Sequence, residues 1–145
     1  MTGHLVVAAI LLPIGVSFFA LVPNAAVRKA TRLCGSLAVL CCTCLAAFQI
    51  ARSREVVEIV VSGWQPPLGI RLHLDGMSML LLLLTAVIAV CVTFFAESYF
   101  EEKTGCGRQA FFWPLWFLVW AALNGLFVSG DVFNLYVTLE IINLA

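Results

Sequence analysis

The chain has 145 residues, 63% of them apolar and 11% charged, with eight bases cancelling eight acids and a mean hydropathy of +1.07. A globular domain runs near half apolar and a quarter charged, so this composition excludes a soluble fold and places the chain in a lipid bilayer. The scattered bases form neither a nucleic-acid footprint nor a polybasic lipid patch, so no nucleic acid is expected among the partners.

Residues 5–22 open the chain with an apolar run long enough to cross a membrane. A secretory signal would place its basic residues ahead of this run, whereas Arg28, Lys29 and Arg32 follow it and only His4 precedes it, so the transmembrane reading is preferred. Pro13, near the middle, predicts a kink that neighbouring helices can tolerate. Residues 33–50 form the second span. Cys41, Cys42 and Cys44 lie in it, Cys34 at its start, Cys91 in the third span and Cys106 in a loop. Cys41 and Cys44 have the spacing of a redox or metal pair, but that chemistry needs thiolates and hydrocarbon opposes them. Buried, small, apolar packing residues are the expectation.

The connection after the second span reads as a β-hairpin over about residues 55–75. Residues 56–61 are rich in β-branched side chains, 63–69 supply Trp64, Pro66, Pro67 and flanking glycines, and 70–75 alternate apolar and polar. Arg71, His73 and Asp75 would share one face and Leu72 and Leu74 the other. One His and one Asp are too few for a metal, so none is expected. Asp75 precedes Gly76 at the start of the third span, 76–96, where its side chain can accept from free helix amides. Glu97, Glu101, Glu102 and Lys103 follow as an expected solvated surface.

The fourth span, 110–129, begins with Phe111, Phe112, Trp113, Trp116, Phe117 and Trp120, a cluster suited to the headgroup boundary or to a partner helix. Asn124 beside Gly125 is a common form of helix contact in membranes. Gly130 and Asp131 predict a tight turn and a cap for a fifth helix, 131–145. At about 1.5 Å per residue that segment covers roughly 22 Å, less than the hydrocarbon thickness, so a longer protein interrupted in a span is expected. Basic residues after spans one and three outnumber those after span two, which predicts the N-terminus outside.

Glu140 is the residue on which the functional reading turns. All other charges lie outside the four complete spans or at their ends, whereas Glu140 lies about 14 Å beyond Asp131, near the bilayer midplane. Tyr136 and Asn143 stand one turn to either side and form a polar stripe with it, which must face protein or trapped water. A carboxyl in that setting takes up a proton and releases it when a cation comes near. This is the chemistry of a proton relay. A permanently protonated glutamate bonding across a helix contact is the plainer alternative.

The strings GWQPPLGIRLHLDGMS at 63–78 and GDVFNLYVTLE at 130–140 resemble the antiporter-like membrane subunits shared by Mrp-type cation/proton antiporters, respiratory complex I and membrane-bound hydrogenases. The nearest resemblance is to the D branch of the Mrp subunits. It implies an all-α integral membrane protein of about fourteen helices, of which four complete transmembrane helices, a truncated fifth and the hairpin between helices two and three are present here. It implies also that Glu140 pairs with a lysine on a later helix; Lys29 and Lys103, in predicted loops, are not expected to be that partner. The implied function is proton-coupled transport of a monovalent cation in a hetero-oligomeric complex of the cell (plasma or inner) membrane, with Glu140 carrying the proton and Tyr136, Asn143 and Asn124 holding water. A proton-pumping subunit of an NADH:quinone oxidoreductase or membrane hydrogenase is the alternative, and a structural subunit without transport the second. No motif for a cofactor or a redox group is present, so the expected role is transporter rather than enzyme.

Overall fold

The computed structural model describes residues 2–22, 24–53, 56–61, 69–102 and 108–145. Five helices, α1 (Thr2–Phe19), α2 (Ala25–Ser53), α3 (Gly76–Glu102), α4 (Arg108–Phe127) and α5 (Val132–Leu144), are joined by a hairpin of β1 (Val57–Val61) and β2 (Ile70–Leu74) between α2 and α3. The helices α1 to α4 pack in a ring, each on its neighbours, and α5 packs on the outside of α4. Among the described residues, two helices, α2 and α3, are long and apolar enough to cross a membrane by length and composition.

The ring closes through small side chains. On α2 the buried residues Ser36, Val39, Thr43, Ala46 and Ile50 recur every three or four positions. The buried Met79, Leu82, Ala86, Ala89, Thr93 and Ala96 repeat that spacing on α3. A Cβ on Gly35 would run into the Val16 side chain, so the glycine lets α1 and α2 approach closely. One core cluster joins Val16, Val39, Ala86, Trp113, Phe117 and Trp120; the other lies under the hairpin and joins Val6, Ala46, Ile50, Leu72, Leu74, Leu82 and Val128.

Several boundaries differ from expectation. Asn24 accepts from the amides of Ala26 (3.0 Å) and Val27 (3.3 Å), so α2 starts at Ala25, well ahead of residue 33, and Arg28, Lys29 and Arg32 are helical. The third helix likewise runs on to Glu102, past residue 96. Cys41 and Cys44 are exposed, as are Cys34 and Cys91, which corrects their reading as buried packing residues: the inward face of α2 is already filled by the stripe through Val39 and Thr43. The GWQPPL segment, Lys103 and Cys106 lie outside the described residues.

The hairpin forms as anticipated, antiparallel, with Val57 opposite Leu74 and Val61 opposite Ile70. Leu72 and Leu74 face the core, whereas His73 points outward within 3.4 Å of Glu58. Asp75 caps α3: its Oδ1 accepts from the Ser78 amide at 2.7 Å, and its own amide donates to Ser78 Oγ at 2.9 Å. The Ser78 amide and then its hydroxyl hold the Asp75 carboxyl below the ordinary aspartate range, against the cost of desolvation.

Candidate functional site

The turn between α4 and α5 is built onto the hairpin. The His73 amide donates to Val128 O at 2.8 Å, Leu72 forms an isolated antiparallel bridge with Ser129, and the Gly130 amide donates to Arg71 O at 2.7 Å, so residues 128–130 lie along the free edge of β2. Arg71 turns its guanidinium onto the same turn, with Nε and Nη2 donating to Gly130 O at 3.1 and 2.9 Å. A Cβ on Gly130 would lie 2.9 Å from Arg71 O, closer than side chains tolerate.

Asp131 joins this turn to α5. Its Oδ1 accepts from the Asn134 amide at 2.7 Å as the helix cap, and its Oδ2 accepts from the Arg71 amide at 2.9 Å. Burial opposes ionisation here, but the two amide donors and the Arg71 charge outweigh it and hold the carboxyl below the ordinary range.

From that cap α5 descends with Asn134 and Thr138 buried against the bundle. Thr138 Cγ2 would lie 3.0 Å from a Cβ on Gly125, so the small residue on α4 admits α5. Glu140 is two residues past Thr138, about 200° round the helix, and is exposed, as are Tyr136 and Asn143. The stripe of Tyr136, Glu140 and Asn143 therefore faces away from α1 to α4, among the exposed apolar side chains Val137, Leu139 and Leu144. On the inner side an apolar cavity of about 250 Å³ separates α5 from α1, lined by Val7, Ile10, Gly125, Asn134 and Thr138 among others.

Asn124 belongs to a different contact, facing α1. Pro13 has no N–H to give to Ala9 O, and Asn124 Nδ2 donates to that carbonyl at 2.8 Å in its place. Asn124 Oδ1 and Trp120 Nε1, both buried, have no partner among the described residues.

Sequence reasoning missed a second charged centre. Arg32 Nη2 and Nε bond Glu97 Oε1 and Oε2 at 2.8 and 3.0 Å, both side chains are buried, and the Arg32 guanidinium lies 4.4 Å from the centre of the Trp113 ring. Glu97, read as part of a solvated surface, is instead the buried half of this pair. Part of the aromatic cluster of α4 serves helix contact: Trp113, Phe117 and Trp120 stack in the interior, and Trp116 Nε1 donates to Thr93 Oγ1 at 3.1 Å, whereas Phe111 is exposed. The only signals in the sequence were a base and an acid at the edges of apolar runs, which do not identify each other.

Over its whole length the chain is 35% identical to the N subunit of the NADH-quinone oxidoreductase of Desulforudis audaxviator, spanning 29% of that protein. Over 62% of its length it is 31% identical to the D subunit of the Na(+)/H(+) antiporter of Alkalihalophilus pseudofirmus, spanning 18% of it. The fold is also found in the membrane-bound sulfane sulfur reductase, an archaeal respiratory membrane complex: the TM-score is 0.83 at 24% identity, over 96% of this chain and 28% of that one. No family model matches the chain. It spans less than a third of the relatives' length.

Proposed function

Because the chain belongs to the antiporter-like membrane subunit family, we propose that its full protein exchanges protons for a monovalent cation across the membrane, with Glu140 as the proton acceptor. The observation that carries this reading is a carboxylate about 14 Å beyond the Asp131 cap, on the outer face of α5 among exposed apolar side chains. In a bilayer such a group must meet protein or water. A cation brought against that face from another segment or subunit draws the proton off Glu140, and its withdrawal lets the proton return. Tyr136 and Asn143 hold water beside the carboxyl, and Asn124 Oδ1 offers an acceptor to water inside the bundle. The protein lies in the cell membrane as a multi-pass subunit of a larger complex, with α1 to α4 as full spans, α5 as the start of a fifth, and the N-terminus outside.

A second reading, proton pumping in a redox-driven complex, is favoured by the identity with the quinone oxidoreductase subunit over the entire chain. Both readings assign Glu140 the same role, and dependence of proton movement on an opposing monovalent cation separates them. The test is proton exchange in everted vesicles holding the assembled complex with the full-length subunit. Glu140→Gln is expected to slow exchange by at least about tenfold at unchanged assembly. Full exchange by that variant would leave a purely structural role for the chain.

A further inference from the structure

We infer that Arg71 is a positioning residue for α5, setting the height and rotation of that helix and hence the place of the Glu140 carboxyl; the inference rests on the reading of Glu140 given above. Four polar groups of this one residue converge on two residues of the α4–α5 turn. Its backbone amide donates to Asp131 Oδ2 at 2.9 Å, its carbonyl accepts from the Gly130 amide at 2.7 Å, and its Nε and Nη2 both donate to Gly130 O. The two oxygens of Asp131 hold different elements, Oδ2 the hairpin and Oδ1 the first turn of α5.

Packing alone fixes α5 weakly. The helix has 13 residues, of which Asn134 and Thr138 are buried, and a cavity of about 250 Å³ lies between it and α1. Rotation of the first turn is therefore restrained chiefly by the cap, and the cap is held by Arg71. A hydrogen-bonded helix passes that orientation on over the nine residues to Glu140. A surface arginine merely shielding the hairpin would not commit its guanidinium and both backbone groups to one turn.

The experiment uses the full-length subunit in its complex. Arg71→Ala is expected to lower proton exchange severalfold, to displace its pH profile by about half a unit, and to speed amide hydrogen exchange over residues 129–135 about tenfold while the rest of the bundle is unchanged. Arg71→Lys, which keeps the charge but offers Gly130 O one nitrogen in place of two, falls between wild type and Arg71→Ala. Gly130→Ala attacks the same clamp without touching a charge, and with Arg71→Lys it carries the test if Arg71→Ala fails to assemble. A native pH profile in these variants, with rate falling only in proportion to assembled protein, overturns the inference. Glu140→Gln measured alongside separates the two failures: full exchange there defeats the proton-acceptor reading, whereas loss there with a native profile in the clamp variants defeats the positioning role alone.

Discussion

Arg32 and Glu97, 65 positions apart, carry the largest electrostatic stake of any single contact described. Removing one partner strands a buried charge, so Arg32→Ala is expected to cost about 3–5 kcal/mol, read as a lower melting temperature and less assembled subunit. Glu97→Gln is destabilising as well, because it leaves the guanidinium charge uncompensated and its amide oxygen can accept only one of the two bonds. Retention of wild-type stability by Arg32→Ala would mean that solvent reaches the pair. The capping aspartates carry the pH dependence. Asp75 and Asp131 both titrate below their ordinary value, so the stability they contribute is fully present above about pH 4 and is lost as the pH falls through the depressed values. Amide exchange in the first turns of α3 and α5 should thus stay slow at pH 5 and quicken only in stronger acid; an onset near pH 5 would contradict that sign. Both caps were legible in the sequence, because a cap is a contact between a residue and amides two or three positions on. Arg32–Glu97 and the Arg71 clamp were not, since each joins residues about sixty positions apart that only the packing of whole helices brings together.

At the scale of elements, Pro13 and Asn124 form a matched defect and repair. The proline releases Ala9 O from the helix ladder, and the amide from α4 satisfies it. Asn124→Ala should cost about 1–3 kcal/mol by leaving that carbonyl unpaired. In a Pro13→Ala background, where residue 13 regains its amide, the same change should cost much less, which a double-mutant cycle on thermal stability measures. Equal costs in both backgrounds would show that Asn124 acts by packing alone. The amide missing at Pro13 was readable, whereas the partner of Ala9 O, 115 positions away, was not. Helix ends departed from the apolar runs for a physical reason: hydropathy marks where a helix meets lipid, while capping groups such as Asn24 mark where it begins. The cysteines were misplaced because apolar character alone does not separate a lipid-facing position from a core one; the three-four spacing through Ser36, Val39 and Thr43 does.

At the scale of the whole molecule, α1 to α4 satisfy one another through small residues and charged or polar links such as Arg32–Glu97, Asn124–Ala9 and Trp116–Thr93, while α5 leans on α4 and presents its polar stripe outward. The order of elements, the hairpin and the two caps followed from composition and local motif. The direction in which Glu140 faces did not, because it depends on which side of α5 Gly125 admits. Central to the proposed function is a Glu140 carboxyl that changes its protonation as the protein works. Infrared difference spectroscopy on the assembled complex, recorded between proton-loaded and cation-loaded conditions, tests it most directly. The expected result is a carboxylic-acid carbonyl band that disappears on cation loading and is missing from both spectra of the Glu140→Gln variant. A band assigned to Glu140 that keeps its intensity under both conditions would contradict it and identify a permanently protonated structural glutamate.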